Sequence, residues 1–244
     1  MTNPSPANWR VGLNDWPRPL ADAVLDPDAT ALMIIDMQNY DTQPDRGLGL
    51  IMHRDFPAMA SYYYDRVQRL VIPAHVRLLR FFRETGRPVV FITVGPNLPD
   101  GSDMIPRRVR RIRRQTQATG VDVTFAEGSG DHAIIDDLTP LDGELVVNKT
   151  SAGAFNSTAI DQTLRNLGIT GLVMTGVSTN TCVETTARDA SDRGFESVLV
   201  EDACASFDEA SHVATLRTFA RMFGEVLSVD QVIERLSSPR ESGG

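Results

Sequence analysis

The chain predicts a single α/β domain, a three-layer Rossmann-like sandwich around a central, mostly parallel sheet of about six strands. Three observations carry that expectation. Short apolar runs alternate with stretches of helical period, the pattern of buried parallel strands joined by crossover helices. The residues best suited to chemistry fall at or just beyond the carboxyl ends of different runs, the edge where open α/β sheets bind ligands. A length of 244 residues, with 41% hydrophobic and 23% charged, is that of one ordinary globular domain with a substantial core.

Composition also excludes classes. A net charge of −8 argues against nucleic acid as a general partner. Two cysteines, Cys182 and Cys204, cannot build a disulfide framework and suit a reducing cytoplasm. No signal-peptide core opens the chain, and no apolar run approaches the roughly 18 residues that span a bilayer. The expectation is a cytoplasmic protein with neither membrane nor nucleic-acid contacts.

Residues 1–29 are rich in Pro, Asn and Asp and lack a period. They read either as an extended arm, on the domain or on a neighbouring subunit, or as a disordered tail. Trp9 and Trp16 favour packing. The domain proper is expected over 30–236. Ala31–Asp36 (ALMIID) is a buried strand ending in an acid, which either faces the ligand crevice or caps the next turn. Tyr40–Tyr64, with two glycines and two prolines, reads as an irregular loop over the carboxyl edge. Its His53 has no convergent partner, because His75 lies in a helical stretch, so no metal is expected. Tyr64–Thr85 carries a helical stripe closed by Gly86, and Pro88–Val94 (PVVFITV) is the second strand. The loop after it brings Asn97 to the same edge.

Arg107–Arg114 (RRVRRIRR) has Val109 and Ile112 at i, i+3, so it reads as a short amphipathic helix. Its arginines either coat a solvated or subunit-facing surface or anchor an anionic substrate group. Nucleic acid is the third reading, but the rest of the chain supplies no basic field. Glu144–Asn148 is the third strand. Lys149 after it is either a solvated end residue or a cation serving a thiolate and a carboxylate base. Thr158–Asn166 reads as a helix closed by Gly168. Later elements are a strand at Ser197–Val200, a helix at Glu209–Phe223, an edge strand at Glu225–Ser228 and a helix at Val229–Leu236. Residues 237–244 are expected to be disordered.

The stretch Val173–Ala190 (VMTGVSTNTCVETTARDA) is the most informative. A strand around Leu172–Met174 breaks at Gly176 and passes through a polar loop into a helix. Thr181 and Glu184 have capping-box spacing, which makes Thr181 the N-cap and Cys182 the first helical residue. A thiol there meets unpaired N–H groups and the positive end of the helix dipole, which favours the thiolate. The other reading is a small buried core cysteine.

GVSTNTCVETTARDA resembles the G-x-x-T-x-x-C-V-x-x-T-x-R-D-A signature of the isochorismatase-like cysteine hydrolases. That superfamily includes nicotinamidases and N-carbamoylsarcosine, biuret and ureidoacrylate amidohydrolases. IIDMQN resembles its D-x-Q motif. Lys149, with Gly153-Ala154-Phe155 and Thr158 after it, resembles its lysine motif, and Glu201–Ser206 resembles its D-A-x-A-S ending. The resemblance implies Asp36 as general base, Lys149 as its partner and Cys182 as nucleophile. It also implies an oxyanion hole from the backbone N–H groups of Ser178 and Cys182, and a cis bond between Val177 and Ser178. The candidate substrate-contacting residues are Gln38, Asn39, Asn97 and Phe155, with a structural role open for Gln38 and ordinary packing for Phe155. Asp202 and Cys204 are expected to be structural.

Two departures matter. Ile51-Met52-His53 lacks the acid of the nicotinamidase Asp-x-His metal element, and Ala152 is small where some relatives carry a larger polar side chain. The implied activity is therefore cofactor-free hydrolysis of a C–N bond in a small linear ureido compound or amide, through a thioester. A nicotinamidase-like carboxamide hydrolase is the alternative. From other classes, a non-catalytic α/β binding module and a thiol redox sensor stay open. Relatives are commonly dimers or tetramers, so a homo-oligomer is expected.

Overall fold

Six apolar runs pair into one sheet in the computed structural model, which describes residues 8–13, 15–121 and 123–238. The strands are β1 (Thr30–Ile35), β2 (Val89–Val94), β3 (Leu145–Lys149), β4 (Gly171–Val177), β5 (Glu196–Ala205) and β6 (Glu225–Leu227). Their order is β3-β2-β1-β4-β5-β6, and every neighbouring pair is parallel. This is the doubly wound arrangement. Its direction reverses between β1 and β4, which opens a crevice at their carboxyl ends.

The pleat sorts the side chains of each strand into two cores. Leu32 and Ile34 of β1, Phe91 of β2 and Val173 of β4 face one side. There they meet helices α3 (Pro57–Arg66), α4 (Ile72–Glu84) and α9 (Val229–Ser237). Met33, Ile35, Ile92 and Met174 face the other side, against α6 (Ile160–Asn166), α7 (Glu184–Asp192) and α8 (Glu209–Met222). All six residues of β1 and of β2 are buried, as expected where helices cover both faces. The edge strand β3 is only half covered until Lys149.

A third, smaller cluster lies beyond the carboxyl end of β2. It joins Tyr40, Ile51, Val94, Val123 and Phe125, with Ile112 of α5 (Pro106–Thr119) packed against it. The charged helix read over Arg107–Arg114 is thus longer than its arginine run. Its apolar Ile112 anchors it above the sheet edge, and a left-handed Gly120 closes it.

Three expectations need correction. The segment Tyr40–Tyr64 is helical, folding as α1 (Asn39–Thr42), α2 (Gly47–Asp55) and most of α3. Gly47, at φ +43°, and Gly49 let these short helices close. A Cβ on Gly47 would lie 2.5 Å from the Tyr40 ring, and one on Gly49 would lie 2.4 Å from the Gln43 carbonyl oxygen. The helix expected from Tyr64 is joined to α4 by a wide turn of π type at Val67–Val71. The capping box at Thr181 and Glu184 does not form. The helix enters at Ser178 through a π-type turn, Thr179–Val183, while Glu184 turns to Arg188 and to Thr215 at 3.0 Å.

The described part of the N-terminal segment lies along the domain. Trp9 and Leu13 are buried, Arg217 Nε donates to the Trp9 carbonyl at 2.8 Å, and Trp9 Nε1 and Arg10 both donate to Glu201. The expected disordered tail falls mostly at 239–244, outside the described residues.

Candidate active site

The site begins at the last residue of the first apolar run. Asp36 follows β1 with φ +53°, a left-handed conformation that costs about 1–2 kcal/mol in an L-residue and that Asp tolerates better than most. The chain turns sharply there, held by the Asp36 amide donating to the Ile92 carbonyl at 2.8 Å. The carboxylate is buried at 1% exposure. One oxygen, Oδ2, accepts from Lys149 Nζ at 2.8 Å, and Lys149 is itself fully buried. The Lys149 ammonium also reaches the Ser151 carbonyl at 3.3 Å. A buried charge tolerates such a position only when paired, and here each partner answers the other. The solvated reading of Lys149 is excluded. The other carboxylate oxygen, Oδ1, is buried with no hydrogen-bond partner.

The strand-to-helix turn beyond β4 supplies the thiol. Gly176, at φ +120°, runs so close to β1 that a Cβ would sit 2.0 Å from the Ile35 carbonyl oxygen. This contact brings the end of β4 against the residue that precedes Asp36. The Val177–Ser178 peptide bond is cis. The Ser178 carbonyl accepts the amides of Thr181 and Val183, and Cys182 lies between those two in the same opening turn. Amides at a helix start without an intrahelical acceptor are the kind of donor an oxyanion hole requires. Thr186 Oγ1 donates to the Cys182 carbonyl at 2.7 Å and accepts from the Ala154 amide at 3.1 Å, which ties the turn to the segment after Lys149.

Behind the turn, the His212 ring accepts from Arg66 Nη2 at 3.0 Å through Nε2. Its Nδ1–H therefore donates to Thr179 Oγ1 at 2.9 Å. Burial, then the charge of Arg66, pushes this imidazole down to about 3.

The electrostatics reverse one expectation. Cys182 is half-buried, and its thiol is pushed up to about 12, not down. Loss of solvent is the largest cause and the carboxylate of Asp36 the next, and together they outweigh Lys149 and Arg108. The helix-start position does not make a resting thiolate. The thiol rests protonated, with Asp36 beside it as the group that can receive the proton.

The candidate substrate contacts divide. Gln38 is saturated: Nε2 donates to the carbonyls of Val94 at 3.1 Å and His132 at 2.7 Å, and Oε1 accepts from the Val94 amide at 2.8 Å. It braces β2 against the 129–134 segment, so its pocket-rim reading is withdrawn. Phe155 packs near Phe195, with the Arg193 guanidinium over its ring at 5.2 Å, so it is a core residue and not a pocket wall. Asn39 donates to the Gly130 carbonyl at 2.8 Å. Asn97 is exposed, and its amide is engaged by Asp103 at 2.8 Å and Asn148 at 2.9 Å.

Residues that sequence reasoning missed lie close enough to Asp36 and Cys182 for their charges to interact. Asp41, in the first turn after the D-x-Q motif, is pushed up to about 7 by burial and by Asp36, against Arg108 and Lys149. The hydroxyls of Tyr63 and Tyr64 are buried without hydrogen-bond partners. Burial, Asp41 and Cys182 are among the causes that raise Tyr63 far above its ordinary value. The only signal for these residues was the Tyr62–Tyr64 run, which lay inside the segment read as a loop. His53 donates from Nδ1–H to the Gly49 carbonyl at 2.9 Å and stacks on Tyr64. Among the described residues, no group of three or more His, Cys, Asp or Glu side chains converges as a metal site would require.

A doubly wound sheet, with a buried carboxylate–lysine pair and a cysteine turn meeting at its switch point, defines the class of small α/β hydrolases with a cysteine at the strand-to-helix turn. The chain belongs to the isochorismatase family, whose domain matches residues 30–231. It is 32% identical over 230 residues to a ureidoacrylate amidohydrolase RutB of Methylobacterium radiotolerans, covering 91% of this chain and 84% of that protein. It is also 32% identical to a protein of the same description from Methylorubrum extorquens, covering 97% and 93%. Among solved structures, a cysteine hydrolase from Pseudomonas syringae pv. phaseolicola matches with a TM-score of 0.75 at 25% identity, covering 91% of this chain and 98% of that one. The N-carbamoylsarcosine amidase of Thermoplasma acidophilum matches with a TM-score of 0.59 at 25% identity, covering 82% and 96%.

Proposed function

We propose that this protein is a cysteine amidohydrolase that cleaves a C–N bond of a small linear ureido compound or amide through a thioester, with no metal or other cofactor. The observation that carries the reading is the buried Asp36–Lys149 pair with one free carboxylate oxygen beside the Cys182 thiol. Similarity to amidohydrolases of ureido compounds over nearly the whole chain supports the substrate class.

Asp36 Oδ1 takes the Sγ–H proton as the sulfur attacks the substrate carbonyl carbon. Lys149 holds the carboxylate by Oδ2 and so leaves Oδ1 for this transfer. The carbonyl oxygen becomes an oxyanion held by the amides of Ser178 and Cys182. As the C–N bond breaks, Asp36 returns the proton to the departing amine or ammonia. Water, giving a proton to Asp36, then adds to the thioester carbonyl, and the sulfur leaves and regains its proton. Because the thiol rests neutral, proton transfer and attack are coupled in one step.

The test is ammonia release from a panel of ureido compounds and primary amides by wild type and by Cys182→Ala, with and without a chelator. Release that requires Cys182 and ignores the chelator is expected. Release abolished by the chelator would replace this reading with a metal-dependent one. Silence across the panel would leave a binding module as the better reading. The protein is further proposed to act in the cytoplasm as a homodimer or homotetramer. A monomeric mass by light scattering would remove the assembly part. No helix among the described residues is long and apolar enough to cross a membrane.

A further inference from the structure

The charges beside Cys182 leave nothing free for a substrate anion: the Lys149 ammonium is committed to Asp36, and Asp41, pushed up to about 7, is only partly ionised near neutral pH. A substrate carrying its own carboxylate needs a further cation to face it. The described residues supply one. Arg108 is half-buried on α5, yet its guanidinium makes no salt bridge or hydrogen bond among the described residues, unlike those of Arg54, Arg83 or Arg188, which are paired.

Geometry sets its direction. The Arg108 guanidinium carbon lies 6.0 Å from the centroid of the Phe125 ring, and that ring stacks on Tyr40 at 3.9 Å. Tyr40 precedes Asp41 and stands four residues beyond Asp36. Ile112, one turn further along the same helix face, packs into the Tyr40–Val94–Phe125 cluster at the carboxyl end of β2. The 108/112 face of α5 therefore looks toward the site, while Arg107, Arg110, Arg111 and Arg114 line a separate depression; of these only the exposed Arg111 also acts on Tyr40. The positive charge of Arg108 acts on Tyr40, Asp41 and Cys182 alike.

We propose that Arg108 is a specificity-determining residue that holds the carboxylate of an anionic substrate, so that the enzyme acts on linear ureido acids in preference to neutral ureido compounds. This rests on the amidohydrolase reading above. A guanidinium with unused donors, set against an aromatic wall and partly withdrawn from water, is suited to a bidentate carboxylate contact.

The experiment measures binding apart from turnover. Cys182→Ala protein is titrated calorimetrically with 3-ureidopropionate and with its neutral amide, 3-ureidopropionamide, in the presence and absence of Arg108→Gln. The acid is expected to bind Cys182→Ala more tightly than the amide. Arg108→Gln should lower that preference on the order of 10- to 100-fold, the range for a hydrogen bond to a charged group. Arg110→Gln removes the same charge from the outer face and should change the preference less than twofold. With Cys182 present, Arg108→Gln should raise KM for the acid more than it lowers kcat.

Equal preference with and without Arg108, or an acid that binds no better than its amide, would overturn the proposal. Arg108-dependent binding without Cys182-dependent ammonia release would uphold the anion site and refute the hydrolytic reading instead, so the two failures are distinguishable.

Discussion

The protonation state of Cys182 is the sharpest consequence of the geometry, because the structure and the position of the residue at a helix start predict opposite signs. A helix-start thiol should ionise below the ordinary value of 9.0, whereas burial and Asp36 push it up to about 12. At pH 9 an ordinary cysteine is half ionised. A thiol shifted by three units has about one part in a thousand as thiolate, so the two accounts differ by a factor that no assay would miss. The perturbation is Asp36→Asn in a Cys204→Ala background, which silences the second thiol. It removes the carboxylate's charge and its hold on the proton, while Lys149 and Arg108 still pull the thiol down. The expected outcome is a thiolate absorbance step near pH 12 in the parent and a clear downward shift in Asp36→Asn, read by ultraviolet titration with circular dichroism to follow folding. A step at or below pH 9.0 in the parent would refute the account of a resting neutral thiol. So would an unmoved step in Asp36→Asn.

Three further outcomes follow from the same structure. Lys149→Met leaves Asp36 buried and unpaired and should destabilise the fold by about 3–5 kcal/mol, a fall in Tm of about 6–20 °C. Combining it with Asp36→Asn should recover part of that loss, and calorimetry would show whether it does. Gly176→Ala puts a Cβ 2.0 Å from the Ile35 carbonyl oxygen at φ +120°, so it should cost more than about 4 kcal/mol or prevent soluble expression, whereas Gly194→Ala, at φ +84° but with open space around it, should fold at a cost of about 1–2 kcal/mol. His212 and His75 are held neutral by burial, at about 3 and about 4, with Arg66 adding to the shift at His212. The sign is that of depressed values: stability is complete above pH 6.5 and falls as acid is added, by up to about 1.4 kcal/mol per pH unit for each ring. His212→Gln should flatten urea midpoints measured between pH 6.5 and pH 4.

The strands were legible because each holds a short apolar run, with β1, β2 and β4 buried along their whole length, a signal that needs no tertiary information. The motif residues were legible for a related reason: the ends of β1, β3 and β4 are where such a sheet must present its chemistry. What could not be read was side-chain direction. Gln38 and Phe155 look as available as Asp36 in one dimension, and only the fold shows that backbone groups at Val94 and His132 absorb the first and Phe195 and Arg193 the second. The helices between Asn39 and Arg66 were illegible because they are short, glycine-containing and set by close backbone contacts, not by a stripe of their own. That error also hid Asp41, Tyr63 and Tyr64. The sign of the Cys182 shift was missed because local spacing reports the helix dipole but not the Asp36 carboxylate delivered by another strand.

The pairing of Asp36 with Lys149, 113 residues away, also has a meaning for folding. Neither the pair nor the desolvated thiol exists until β1, β3 and β4 share one sheet, so no local fragment carries a part of the site. In the unfolded chain both cysteines ionise near 9.0, and in the native chain both are held up to about 12. Between those limits folding takes up protons, and native stability falls as pH rises from about 9 toward 12. Assembly of this sheet in mild alkali is therefore an alkalinising event: completion of the fold can be followed as protons leaving the solvent for two sulfur atoms and, from about pH 10, for the buried hydroxyls of Tyr40, Tyr63 and Tyr64.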